Sequence, residues 1–139
     1  MIDYRHGNEL DLDAVIELYR ASSLGERRPV DDRAIMGQML RHANLVVTAW
    51  DASLLVGISR TLTDFGYVGY LSDLAVHAAY QRRGIGVQLV DQTRRRMGPR
   101  ASLVLLAAPL ARDYYPKIGF ERHESAWTLR ASQPLITAS

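Results

Sequence analysis

The run Gln81-Arg82-Arg83-Gly84-Ile85-Gly86 combines two glycines and two arginines at a point where an apolar strand pattern gives way to a helical one. A helix start presents unpaired main-chain N–H groups and the positive end of the helix dipole, and both favour a phosphate. Glycines at 84 and 86 remove side chains that would keep an anion off the backbone, and Arg82 and Arg83 add positive charge beside it. Two glycines at a strand-to-helix turn also suit a plain tight turn. The run lacks the Lys-Ser/Thr ending of a nucleoside-triphosphate loop and the three-glycine pattern of a dinucleotide fold.

Charge is uneven around this run. Arg82, Arg83, Arg94, Arg95, Arg96 and Arg100 stand against Asp91, whereas Asp3, Glu9, Asp11, Asp13 and Glu17 gather near the N-terminus. The positive field favours an anionic partner, and nucleic acid and a phosphorylated cofactor both qualify. Arg94 to Arg96 read as a solvated helix face with some reach toward a phosphate.

The elements that must position the turn follow from periodicity. Ile2 and Tyr4 suit a short first strand. Asp11 caps a helix to about Ala21, and Asp31 or Asp32 caps a second with Ile35, Met36, Met39 and Leu40 on one face, with Ser22 to Pro29 as a loop between them. Leu45–Trp50 and Leu54–Thr63 read as strands joined at Asp51-Ala52-Ser53, and Tyr67–Val76 as the next strand. A helix from Gly84 to Met97 would bury Gly86, Leu89, Val90, Thr93 and Met97. Residues 102–107 read as an almost unbroken apolar strand, and a short helix lies between Pro109 and Ile118, closed by a left-handed Gly119. Two last strands fall near 120–123 and 126–130. The expectation is an α/β (α+β) fold with a mixed, mostly antiparallel sheet of about seven strands and helices on both faces. It occupies residues 1–130 as one domain, with 131–139 as a tail.

Leu71-Ser72-Asp73-Leu74-Ala75-Val76-His77 followed by Tyr80-Gln81-Arg82-Arg83-Gly84-Ile85-Gly86 resembles the central signature of the GNAT acetyltransferases. Ala111-Arg112-Asp113-Tyr114-Tyr115-Pro116-Lys117-Ile118-Gly119-Phe120 is similar to their second signature. The two runs stand in the family's order, and the element order matches along nearly the whole chain outside residues 20–44.

The resemblance implies an N-acetyltransferase with acetyl-CoA as acyl donor and no metal. It places the pantetheine arm on the main chain of Leu74, Ala75 and Val76, where strands 67–76 and 102–107 splay apart. It places the pyrophosphate on the amides of Gln81, Arg82, Arg83, Gly84, Ile85 and Gly86. An amine attacks the thioester directly, and Tyr115 protonates the departing sulfur. Pro116 follows Tyr115 where many relatives carry an acidic residue, which leaves Tyr114 as the alternative acid. Asp73, just before the main-chain contacts, is a candidate base or a polar residue at a strand bulge. His77 reads as a loop residue, and Glu26 as a surface charge able to meet a cationic acceptor. Trp50, Phe65, Tyr67 and Trp127 are core aromatics or acceptor contacts.

Composition narrows the rest. The 139-residue chain is 47% hydrophobic, enough to bury a core. Its lack of cysteine removes disulfides, thiolate metal sites and a covalent cysteine intermediate, and fits a reducing compartment. No apolar leader or membrane-length run is present, so a soluble cytoplasmic protein without a membrane partner is expected. A net charge of +2 with no helix-turn-helix, zinc or aromatic-platform pattern argues against nucleic acid. A non-catalytic acyl-CoA-binding regulatory module is the alternative function. An exposed sheet edge allows pairing as a homodimer.

Overall fold

A computed structural model describes residues 1–138, which gather into two compact units, Met1–Leu106 and Ala107 onward. The first unit is built on one five-stranded sheet in the order β1 (Ile2–His6), β2 (Leu45–Asp51), β3 (Leu54–Thr63), β4 (Val68–Val76), β5 (Ser102–Val104). Neighbours pair antiparallel except β4 and β5, which run parallel.

The first two helices each start at an aspartate whose side chain accepts from an otherwise unpaired N–H of the first turn. Asp11 accepts from Asp13 N–H at 3.3 Å and opens α1 (Leu12–Arg20). Asp32 accepts from Ile35 N–H at 3.1 Å and opens α2 (Arg33–Arg41). Ser22 caps a 3-10 turn over Ser23–Glu26 inside the expected loop. α1 and α2 bury Val15, Leu18, Tyr19, Met36 and Leu40 with Val46, Ile58 and Ala75 on one face of the sheet.

α3 (Ile85–Arg96) covers the other face, with Ile85 and Leu89 set among Leu45, Val47, Ala49 and Val56. Leu89 is fully buried, which is worth about 1.5–3 kcal/mol over an exposed leucine. The buried stripe is the expected one, except that Ile85 is buried and Gly86 only partly so. Gly57 sets the helix's distance from the sheet. A Cβ there would lie 3.0 Å from Leu89 Cδ1, 3.1 Å from Ile85 Cγ2 and 3.2 Å from Ala49 Cβ. Ser59 and Thr93 hydroxyls meet at 2.5 Å in the same interface, and Thr93 also donates to Leu89 O.

The sheet has five strands, fewer than expected. The last apolar strand shortens to Ser102–Val104, and residues 120–123 and 126–130 form no ladder among the described residues. There the alternation is short and polar, and Ser125 N–H turns to His123 Nδ1 at 3.1 Å, a local bond that competes with strand pairing. In the second unit α4 is only Tyr114–Lys117. Gly119 closes it at φ 104° as expected, with Gly119 N–H on Pro116 O and Phe120 N–H on Tyr115 O. The last tail residue, Ser139, lies outside the described residues. None of the described helices is long and apolar enough to cross a membrane.

Gly57→Val should overfill the sheet–α3 interface and cost about 1–3 kcal/mol in urea unfolding, with the helix content of the folded state preserved.

Candidate active site

Strand β4 carries most of the site. Its partner β5 pairs only Val68 to Tyr70. From Leu71 to Val76 no second strand pairs with its outer edge among the described residues. The break coincides with a β-bulge: Arg60 of β3 faces Asp73 and Thr61 faces Leu71, which leaves Ser72 without a partner. A bulge bends its strand and sharpens the local twist, so β4 turns as it passes beyond β5.

Beyond the bulge the register decides which main-chain groups face outward. His77 N–H donates to Val56 O at 2.8 Å, and the register continues through Val76–Gly57, Ala75–Ile58 and Leu74–Ser59. Bonded and non-bonded pairs alternate in an antiparallel ladder. Ala75 therefore turns its N–H and C=O to β3, and Leu74 and Val76 turn theirs to the open edge. Gln81 Nε2 reaches Val76 O on that edge at 3.4 Å. Of the three residues expected to offer main-chain contacts, Leu74 and Val76 thus have outward main-chain groups, and those of Ala75 face β3. Its side chain is buried on the α1 face.

The edge leads into the glycine turn. Tyr80 N–H donates to His77 O, and Gln88 N–H donates to Gly84 O as the first bond of α3. Between them, among the described residues, no N–H from Gln81 to Val87 donates to a main-chain acceptor. Gln81 to Gly84 are exposed. Arg82 and Gly84 are left-handed at φ 65° and 77°. That conformation costs an arginine about 1–2 kcal/mol, and strain of this kind collects at ligand-binding turns. A Cβ at Gly84 would touch nothing within 4 Å, so its backbone angle and open approach, and not packing, account for the glycine.

The turn is anchored from below. Tyr80 OH donates to Asp51 Oδ2 at 2.5 Å, the Arg83 guanidinium lies 4.9 Å over the Tyr80 ring, and the His77 ring meets that ring edge-on. The hydrogen bond to Asp51 raises the Tyr80 pKa. His77 Nδ1 accepts from Ala79 N–H, so this histidine is a turn cap. Arg94, Arg95 and Arg96 are exposed, with Arg95 paired to Asp91 at 2.8 Å.

Asp73 is buried to 1% exposure, and both of its oxygens are occupied. Oδ1 accepts from Arg28 Nε at 2.6 Å, and Oδ2 accepts from Arg60 Nε at 2.6 Å and Tyr19 OH at 2.5 Å. Burial alone would raise its pKa. The hydrogen bond and charge of Arg60, the Tyr19 hydrogen bond and the charge of Arg28 outweigh that, and the carboxyl is held below its usual range. Burial first, then the Asp73 charge and hydrogen bond, push the Tyr19 phenol far upward. Arg60 is raised as well, because Asp73 offsets its burial. A carboxylate so engaged is a poor proton acceptor and a strong anchor.

In the second unit Tyr115 packs between Tyr114 and Phe120, with ring centroids 5.3 and 5.4 Å away. Burial and then the neighbouring Tyr114 raise its pKa, which keeps the phenol protonated at neutral pH. Pro116 falls in the first turn of α4, where its missing N–H forfeits no helical bond. Glu26, Phe65, Tyr67 and Trp127 are exposed, and Trp50 is half-buried with its Nε1 on Thr48 Oγ1.

Tyr19, Arg28 and Arg60 escaped the sequence reading. Tyr19 looks like one more apolar position of α1. Arg60 carried a usable signal, since an arginine inside a strand otherwise buried on both faces needs a buried partner.

Among the described residues, the β4 edge beyond Tyr70 is thus open and runs into a turn lined by main-chain amides. The chain belongs to the acetyltransferase (GNAT) domain family, whose model matches residues 26–129, and is by that membership an acyltransferase. Solved structures share the fold. A GNAT family acetyltransferase from Streptococcus pneumoniae TIGR4 is 25% identical with a TM-score of 0.71, over 94% of this chain and 99% of that one. A predicted acetyltransferase from Clostridium acetobutylicum, solved with acetyl-CoA, is 16% identical with a TM-score of 0.73, over 94% and 96%. An aminoglycoside N-acetyltransferase in complex with CoA is 20% identical with a TM-score of 0.72, over 95% of each chain. No curated protein matches the chain.

Asp73→Asn should cost about 3–5 kcal/mol at pH 7, because two arginines lose the charge that balances them. The Asp73 pKa is depressed in the fold, so its stabilisation is present above the unfolded value near 4 and lost as pH falls through the folded value. Urea unfolding across a pH series should show the gap between wild type and variant constant near neutrality and closing below about pH 4.

Proposed function

We propose that this protein transfers an acetyl group from acetyl-CoA directly to a primary amine. The observation that carries the reading is the continuous track from the outward main-chain groups of Leu74 and Val76 to the unpaired N–H groups between Gln81 and Val87. A pantetheine arm is a string of amides and pairs with such an edge as another strand would. A diphosphate then meets amides, a helix dipole and the Arg82 and Arg83 side chains at the start of α3. Relatives crystallised with CoA and acetyl-CoA support this choice of donor, and the aminoglycoside N-acetyltransferase among them supports an amine as acceptor.

The chemistry requires little beyond placement. The amine nitrogen forms a bond to the thioester carbonyl carbon, a tetrahedral oxyanion results, and the carbon–sulfur bond breaks. The amine loses one proton, and the CoA thiolate takes one up. Holding both reactants in line removes much of the entropic barrier. Tyr115 is the acid in this reading: a half-buried, protonated phenol that donates to the sulfur as it departs. Asp73 acts indirectly. Both of its oxygens are engaged and its pKa is low, so it holds the bulge that opens the edge.

A screen of small amines, amino acids, aminoglycosides and protein amino groups, followed by release of free CoA, tests the reading. Turnover with at least one amine is expected, and CoA binding without turnover on any would leave the regulatory module in its place. Gly84→Glu puts bulk and negative charge into the turn. It should weaken CoA binding by at least about tenfold in calorimetry while the fold persists, because the left-handed angle costs a side chain only about 1–2 kcal/mol and a Cβ there meets no neighbour. Unchanged affinity would remove the diphosphate site. Tyr115→Phe should lower kcat about a hundredfold or more with CoA affinity unaltered. Wild-type turnover in that variant would exclude Tyr115 as the acid.

A further inference from the structure

We propose that Arg28 is a positioning residue: it latches the segment between α1 and α2 onto the β4 bulge, so that cofactor binding along the β4 edge and ordering of residues 21–32 are coupled. The inference rests on the acetyl-CoA reading above and adds a link between the donor edge and a segment that makes no part of the cradle.

Arg28 lies outside any helix or strand, just past the 3-10 turn of Ser23–Glu26. All three of its nitrogens are engaged. Nε donates to Asp73 Oδ1 at 2.6 Å, Nη2 to Ser72 O at 2.9 Å, and Nη1 to Arg27 O at 2.9 Å. The fork therefore grips two consecutive residues of β4. Ser72 is the bulge residue that faces no β3 partner, and Arg28 binds its carbonyl. Arg60 holds the other half of the same pair, with Nε on Asp73 Oδ2 and Nη2 on Ser72 Oγ at 2.8 Å. The two arginines differ in place. The Arg60 side chain is 9% exposed inside the sheet, whereas that of Arg28 is 23% exposed and comes from a loop. Arg60 is the fixed half of the clamp and Arg28 the half that arrives with the segment.

The segment holds the strand at a second point. Ala78 N–H donates to Ala21 O at 2.9 Å, just before the phosphate turn. Residues 21–32 thus touch β4 and its extension at Ser72-Asp73 and at Ala78, on either side of Leu74 and Val76. The bulge decides which way those two residues face, because a shift of one residue along a strand reverses every main-chain and side-chain direction after it. Whatever steadies the edge must favour the latched segment, and the converse holds by linkage.

Hydrogen exchange of the full chain with and without CoA, alongside calorimetry, reads this coupling. In wild type, CoA should slow exchange at Leu74 and Val76 and also across residues 22–32. Arg28→Met should melt cooperatively and bind CoA about tenfold more weakly, and CoA should no longer slow exchange across 22–32. Arg28→Lys keeps the charge beside Asp73 and lacks the fork, so it should lose most of that protection too, and it reads the same coupling should the methionine variant fail to fold. A merely structural role would lower the melting temperature and leave the CoA-dependent protection intact. The latch is overturned if wild type binds CoA with no change over 22–32, or if a folded Arg28 variant keeps both affinity and protection. Failure of wild type to bind CoA at all would overturn the donor reading and the latch together.

Discussion

A single buried carboxylate holds the open edge of β4 in shape. Asp73 sits directly after the bulge residue Ser72, and its two oxygens are taken by arginines from a loop and from the neighbouring strand and by a tyrosine from α1. A buried ion pair is seldom a net gain in stability over well-packed apolar groups, since desolvation consumes most of the attraction. What it adds here is direction. Each partner comes from a different element, so the bulge has one geometry in which all of them are satisfied, and β4 leaves β5 in that geometry.

Everything downstream of the bulge depends on this. The alternation of the ladder turns Leu74 and Val76 outward only in the observed register, and the main chain from Gln81 to Val87 follows from where β4 ends. The far side of the site is set by packing. Gly57 lets α3 approach the sheet, and the bond from Tyr80 to Asp51 ties the turn ahead of α3 to the β2–β3 hairpin. Polar anchoring at one end and close apolar contact at the other leave the N–H groups between them without internal partners, the state in which an anion gains most from them.

Much of this was legible in the residues. Caps at Asp11 and Asp32, the β2 and β3 strands, the left-handed Gly119 and the α3 stripe follow from local rules, because each depends on residues close together in the chain. The strands expected at 120–130 were not borne out. A strand exists only with a partner, and alternation over four or five residues does not supply one. Asp73 read equally as a base or as a polar residue at a bulge, and only its partners were hidden by distance: Tyr19 and Arg28 lie far from it in the chain. Arg60, a charged residue in the middle of a strand, was the one clue present.

The central claim concerns main-chain groups, so it is best tested on them directly. Backbone amide resonances recorded during titration with CoA should shift at Leu74 and Val76 and continuously through residues 82–87, while Ala75, turned toward β3, moves least. Saturable binding that perturbs other surfaces and leaves those amides where they were would contradict the account.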